Sequence, residues 1–255
     1  MRRAGLFLLI ALAISGCGTT TPAAAPASAP KSYSDQVLAD APAAYWRMDE
    51  TAGTTMTDST KNGNNGHYDG IVMLGQPGPL AAGGSTAVGL DGATSGMTVP
   101  SSTTLQVNWV TIELWINKRA QSDFGFYIVK NVVGGGGANS GWFELLNDHN
   151  NGRLQFRVTG DIDPVLVSTA TLELNRWYYV VATYDGVVAK LYIDGKLDGQ
   201  LAAVVAPAQN ADPITIGRRI DGFFNNALLA EVAIYPTALS AERIAAHWAA
   251  ASNKP

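Results

Sequence analysis

Closely spaced carboxylates are the first side chains in this sequence with chemistry to offer. Asp49, Glu50 and Asp58 lie beside the glycine-rich segment 63–66. Calcium takes about six to eight oxygen ligands, and carboxylates next to carbonyl-rich turns supply them. Asp49 and Asp58 are therefore candidate ligands for a structural calcium ion. The same two residues also suit Asx turns, in which a carboxylate accepts hydrogen bonds from the backbone of its own turn.

Hydrolysis of a glycosidic bond needs two carboxyl groups roughly 5–10 Å apart. Glu144 and Asp148 share a strand face, but four residues at about 3.3 Å each put them roughly 13 Å apart. Glu113 stands alone on the polar face of its strand, and Asp161 and Asp163 sit in a Gly-Asp-Ile-Asp-Pro stretch suited to a turn. None of the three histidines, His67, His149 and His247, lies in a Gly-x-Ser-x-Gly context. Three histidines so widely spaced do not compose a transition-metal site. The glycine run 134–137 lacks the lysine-serine pair and following helix of a phosphate cradle. These residues point away from an enzyme.

The elements that must position such side chains are mostly strands. Residues 110–116 alternate, with Val110, Ile112, Leu114 and Ile116 on one face. Residues 177–184, 187–193 and 196–201 read as consecutive antiparallel hairpins, and the Asp185-Gly186 and Asp194-Gly195 pairs suit two-residue type I′ turns, where both central positions need φ > 0. Further strands are expected at 43–48, 87–90, 97–99, 126–131, 142–147, 153–158, 213–216 and 229–235, with Asn150-Asn151-Gly152 reversing the chain between two of them. So many short strands separated by turns imply an all-β sandwich or barrel. One helix is expected, over 241–250, capped by Ser240 and with Glu242 in its first turn. Its Ile244 and Trp248, four apart, would dock on the sheet, with His247 beside that seam.

Four stretches belong together: Ala44-Tyr45-Trp46-Arg47-Met48-Asp49-Glu50-Thr51-Ala52-Gly53; the loop 58–66; the run 177–186 continuing through Leu191-Tyr192-Ile193-Asp194-Gly195; and Glu231-Val232-Ala233-Ile234-Tyr235-Pro236-Thr237-Ala238-Leu239-Ser240. In combination they resemble the laminin-G-like, concanavalin A-like lectin/glucanase domains of bacterial surface proteins. The resemblance spans roughly 34–250. It implies a two-sheet antiparallel jelly-roll sandwich, one sheet concave, with a short C-terminal helix. It also implies a structural calcium joining the opening loop to an aspartate of the closing strand. The matching position here is Ala230, which removes one hard ligand. The paired carboxylates of the superfamily's glucanases, a Glu-x-Asp-x-x-Glu pattern on one strand, are absent. The fold serves lectins, glucanases and adhesion modules alike, so it names no ligand.

Carbohydrate binding asks for less than catalysis: exposed rings that stack on sugar C–H faces, flanked by planar polar groups. Loop placement makes Trp142, His149, Arg219, Asp221 and Phe224 the candidate ligand-binding residues. Phe223 and Phe224 point opposite ways on extended backbone, leaving one ring to solvent. The alternative is that both pack beneath their loop and Trp142 packs in the core. Trp46, Trp115 and Trp177 lie in strong strands and read as core.

Ahead of the strands, Met1-Arg2-Arg3 and an apolar run over 6–14 compose a secretory signal, too short for the roughly 20 residues of a membrane-spanning helix. Ile14-Ser15-Gly16-Cys17 resembles a bacterial lipobox, which implies cleavage before Cys17 and acylation of that cysteine, the only one in the chain. Two or more acyl chains suffice for stable anchoring. In a cell with two membranes Gly18 resembles the outer-membrane default rather than inner-membrane retention, so the anchor is expected in the cell membrane or an outer membrane. The expected organisation is a signal peptide over 1–16, an Ala/Pro/Thr-rich tether over 17–32 and one jelly-roll domain over 33–255. With 17 Lys and Arg against 21 Asp and Glu, a net charge of −4, the chain is not built to neutralise phosphates, and no nucleic-acid partner is expected. The expected partners are a membrane, through the lipid anchor, and a glycan or an envelope protein. The favoured function is an extracytoplasmic, lipid-anchored module for carbohydrate binding or adhesion. The alternatives are a structural or protein-partner module of the envelope, and a glycoside hydrolase.

Overall fold

The computed structural model describes residues 31–81, 85–130, 142–158, 165–202, 204 and 209–252. Residues 31–255 form one compact unit. The signal, Cys17 and the tether up to residue 30 lie outside the described residues, as do the glycine run, Asp161 and Asp163. Among the described residues no helix is long and apolar enough to cross a membrane.

The chain opens with helix α1 (Tyr33–Ala39) and continues through β1 (Ala44–Trp46), β2 (Thr55–Met56), β3 (Gly66–Asp69), β4 (Met73–Pro77), β5 (Thr86–Gly89) and β6 (Gly96–Val99). The long β7 (Val110–Lys118) follows, then β8 (Phe126–Lys130), β9 (Phe143–Asp148), β10 (Arg153–Val158) and β11 (Leu166–Val167). Last come β12 (Trp177–Tyr184), β13 (Val188–Ile193), β14 (Lys196–Ala202), β15 (Ile214–Ile216), β16 (Ala227–Tyr235) and helix α2 (Ala241–Ser252). Sheet A has the order β14-β13-β12-β7-β16-β5-β4, with β1 paired to β16; sheet B has the order β11-β10-β9-β8-β15-β6-β3-β2. Every pairing is antiparallel. The result is the expected all-β jelly-roll sandwich with a short C-terminal helix.

Alternation builds the core. Val110, Ile112, Leu114 and Ile116 of β7 face Phe143, Leu145, Leu154 and Phe156 of sheet B in one buried cluster, which removes their apolar surface from water at about 25 cal/mol per Å². A second cluster lies on the other side of sheet A, where Tyr33 and Val37 of α1 and Ile244 and Ala251 of α2 cover Trp115, Tyr179, Val181 and Tyr235. Trp248 stacks on Trp115 and Tyr179 at 5.5 and 6.0 Å between ring centroids, so the expected docking of Ile244 and Trp248 is what the chain does.

Four readings of the sequence change. Strand β7 has no solvent face: it is buried throughout, Glu113 included, because two helices cover its polar side. Helix α1 was not expected, yet Ser32 and Asp35 form a capping box at its start. The Asp194-Gly195 turn has both φ values positive, at 51° and 76°, as type I′ requires. The Asp185-Gly186 turn does not, because Asp185 Oδ1 accepts hydrogen bonds from Val187 N and Val188 N at 2.9 and 2.7 Å and holds an Asx turn instead. Strands β2, β3, β4 and β11 were also missed; two of them are only two residues long, and the other two hold Gly, His, Asp or Pro.

Candidate ligand-binding face

With the outer side of sheet A covered by both helices, the outer side of sheet B is, among the described residues, the sheet surface not covered by a helix. Since Phe143, Leu145, Leu154, Phe156 and Val158 point into the core, the intervening side chains point outward. The register sets them in rows, Arg157 opposite Glu144, Gln155 opposite Leu146 and Arg153 opposite Asp148. Arg157 Nη1 lies 3.9 Å from Glu144 Oε2. Nearer the other edge, Arg218 donates to Asp69 Oδ2 at 3.1 Å and lies 3.2 Å from Thr98 Oγ1. Gly96 lets it lie flat, since a Cβ there would come within 2.7 Å of the Arg218 side chain.

At one end of this face rings and charges converge. Phe126, buried on the outer side with Val129 and Leu146, meets Phe223 edge-on at 6.1 Å. The Arg219 guanidinium lies 4.4 Å from the Phe223 ring centre and 5.2 Å from that of Phe126, a cation–π arrangement. Its Nε and Nη2 donate to Asp221 at 2.6 and 3.0 Å. The Arg219 hydrogen bond and charge hold the Asp221 carboxyl below the usual carboxylate range. Next to Phe126, Phe124 packs on the same cluster and meets His149 at 4.3 Å, whose Nδ1 is 3.2 Å from Asp123 Oδ1. Phe223 is 43% exposed, and His149, Asp221 and Asp123 are exposed around it.

A buried amide hub holds this end rigid. Asn147 Nδ2 donates to Ser122 Oγ and Asn225 Oδ1, both at 2.7 Å, and Asn147 Oδ1 accepts from Tyr127 OH at 3.0 Å. Asn225 N donates to Gly217 O at 2.9 Å. The loop carrying Arg219, Asp221 and Phe223 is thus fixed to β8 and β9. Fixed rings beside paired planar charges can stack on a sugar ring and exchange hydrogen bonds with its hydroxyls.

The structure brings His149, Arg219 and Asp221 together and corrects two of the ring choices. Trp142 is fully buried; its Nε1 donates to Val107 O at 2.8 Å and its ring meets Tyr184, so it cannot present itself to a ligand. Phe224 is half-buried, and Phe223 is the ring that reaches solvent. Alternation could not choose between the two, because Phe223 takes a positive φ of 55° and leaves the extended backbone. Phe124 and Phe126 were missed as members of the face; the bulge in β8 puts Phe126 there, and Phe124 precedes the strand with a positive φ of 52°.

The proposed calcium ligands do not converge. Asp58 Oδ1 accepts from Tyr45 N and Thr60 N at 3.0 and 2.9 Å, and Oδ2 from Thr60 Oγ1 and Asn64 N, both at 2.8 Å. Glu50 accepts from Thr57 N and Tyr68 OH. Asp49 pairs with Arg47 at 3.0 Å, and Ala230 is buried against sheet A's outer cluster. An Asp58 filled by four donors and an Asp49 tied to Arg47 do not fit a calcium ion, and among the described residues no three His, Cys, Asp or Glu side chains group as metal ligands. Asp148, the partner weighed for Glu144, instead accepts from Asn151 and Gln155.

A family model described as Laminin_G_3, of the concanavalin A-like lectin/glucanases superfamily, matches residues 91–245. The chain belongs to this family. Among solved structures, this Laminin_G_3 domain is similar to domain 4 of AbnA, a GH43 extracellular arabinanase from Geobacillus stearothermophilus in complex with arabinotriose, with 16% identity, a TM-score of 0.62 and coverage of 81% of this chain and 97% of that one. It is also similar to the binding domain of botulinum neurotoxin DC in complex with SialylT, with 15% identity, a TM-score of 0.63 and coverage of 84% of this chain and 52% of that one. A third neighbour is the binding domain of Paraclostridial Mosquitocidal Protein 1, with 16% identity, a TM-score of 0.62 and coverage of 83% and 52%. The chain therefore spans about half the length of the toxin domains. No curated protein matches it. At these identities the neighbours establish a shared fold.

Proposed function

We propose that the chain is a lipid-anchored, extracytoplasmic module that binds carbohydrate through the outer face of sheet B. One observation carries this reading: an exposed Phe223, fixed beside the Arg219–Asp221 pair and against Phe126, on the sheet face that the helices leave uncovered. Support comes from the fold, which this chain shares with domain 4 of AbnA, in complex with arabinotriose, and a neurotoxin domain in complex with SialylT. Binding without hydrolysis is the reading that the site's chemistry supports, since Asp221 is tied to Arg219 and Asp123, the other carboxylate at this end, pairs with His149. Anchoring rests on the basic start, the apolar run and Cys17.

A glycan array probed with residues 31–255 tests the binding. A dose-dependent signal that Phe223→Ala abolishes supports the reading; a signal indifferent to Phe223 and Arg219, or silence from folded protein, overturns it. Metabolic labelling with a radioactive fatty acid tests the anchor: full-length protein takes up label, and the Cys17→Ser variant does not.

A further inference from the structure

A second concave site lies on the opposite side of the molecule, where the β13–β14 hairpin stands against α2. Its volume is about 460 Å³, within the roughly 300–1,000 Å³ of small-ligand sites. Trp248 lines one side, Ile193 and Leu197 add apolar wall, and Asp194, Lys196 and Asp198 are the polar groups. Each part is held in place. The indole stacks on Trp115 and Tyr179. The hairpin can close on it only because residue 195 is glycine, since a Cβ there would lie 2.8 Å from Trp248 Cγ. Asp198 accepts from Thr169 N and Ala170 N at 2.7 and 2.9 Å. Asp194 accepts from Tyr179 N at 3.1 Å and from Arg176 Nη2 at 3.3 Å.

We infer that this groove is a second saccharide site, taking a neutral sugar ring. A carboxylate has about four lone-pair positions, and each of these has two filled, so both keep acceptor capacity for hydroxyl donors. The exposed Lys196 supplies donors. A half-buried indole and the half-exposed Leu197 offer apolar contact to the C–H face of a ring. Lys196 and the Arg176 held on Asp194 balance the two carboxylates, so the groove carries no excess charge and suits a neutral ring. The site shares no residue with the Phe223 face: sheet A and α2 supply it, with Ala170 from the segment between β11 and β12.

The test follows the Trp248 side-chain N–H cross-peak of ¹⁵N-labelled residues 31–255, assigned with Trp248→Phe, during titration with maltotriose, cellotriose and arabinotriose. A saturable shift of that peak with at least one of them, retained in Phe223→Ala and lost in Leu197→Arg, is the expected result. Leu197 is 51% exposed, so its replacement blocks the groove without opening the core, and an unchanged melting curve verifies this. An unmoved Trp248 peak with all three sugars, or a shift that survives Leu197→Arg, overturns the inference. Loss of the shift in Phe223→Ala overturns it too, by assigning the binding to sheet B.

Discussion

His247 Nδ1 lies 3.0 and 3.1 Å from the two carboxylate oxygens of Glu113, with both side chains fully buried. Tyr33, Tyr179 and Tyr235 donate to the same carboxylate at 2.7, 2.8 and 2.7 Å. On its far side His247 Nε2 is 3.0 Å from Asp40, which also takes the Arg243 guanidinium at 2.8 Å. One carboxylate in the middle of β7 thereby ties α1, α2, β12 and β16 together. Burial alone would push Glu113 up and His247 down. The His247 contact and the tyrosine hydroxyls outweigh it for Glu113, holding that carboxyl below its ordinary value. The Glu113 hydrogen bond and charge, with Asp40, outweigh it for His247, holding that ring above its ordinary value despite the opposing Arg243.

Removing one member leaves the rest buried and unpaired. Glu113→Gln and His247→Ala should each cost about 3–5 kcal/mol, read as a lower midpoint in urea unfolding. A midpoint within error of wild type would mean that the network is not what holds the helices.

The same pair gives stability a pH window. Glu113, held low, contributes stability that is present above the ordinary 4.5 and lost as pH falls through its folded value. His247, held high, contributes stability that is full below 6.5 and lost as pH rises through its folded value. Thermal melts from pH 4 to 9 should show a maximum between these limits, and His247→Ala should flatten the alkaline arm.

Glu231 adds to that arm. Burial pushes its carboxyl up to about 7 although Tyr45 OH donates to it and Arg47 is near. A carboxyl raised in the folded state contributes stability that is present below 4.5 and lost as pH rises through about 7. Glu231→Gln keeps an acceptor for Tyr45 and removes the buried charge. It should gain about 1–3 kcal/mol at pH 8 and little at pH 5, measured by urea unfolding at both.

Two rings separate packing from recognition. Trp142→Ala empties a core site and should cost about 3–5 kcal/mol. Phe223→Ala changes an exposed ring and should stay within about 1 kcal/mol of wild type while removing array binding. The reverse pattern would move the binding surface to the other end of β9.

Calcium should leave the melting temperature unchanged, and so should EDTA, because Asp58 is filled by four donors. Asp58→Ala strands the backbone N–H groups of Tyr45, Thr60 and Asn64 and should cost about 1–3 kcal/mol, with or without calcium. A melting temperature that climbs with added calcium would contradict this.

The strands with long β-branched and aromatic runs were legible in the sequence, because alternation and turn residues are local signals; β7, β12, β13 and β10 fall where the pattern puts them. What was not legible depends on a partner far along the chain. Glu113 reads as a solvent-facing carboxylate until α2 arrives 134 residues later to cover it. Trp142 and Phe224 were chosen for their loops, yet one backbone dihedral and one carbonyl, that of Val107, decided which ring is buried. The start of α1 was readable, since Ser32 and Asp35 compose a capping box, but seven residues after a proline-rich stretch carry little periodicity. Of the candidate site, loop chemistry pointed to Arg219, Asp221 and His149, while Phe126 needed the bulge and Phe124 a positive φ.

Strand β16 stands near the centre of sheet A, hydrogen-bonded to β7, β5 and β1, although it is the last strand of the chain. Strand β7 has its full complement of neighbours only once residues 227–235 are in place, and α1 meets its own partner helix only after them. Folding of such a chain waits on contacts of long sequence separation, which slows it. A ribosome or protease that ends the chain before residue 227 therefore leaves not a shorter sandwich but a sheet split down its middle.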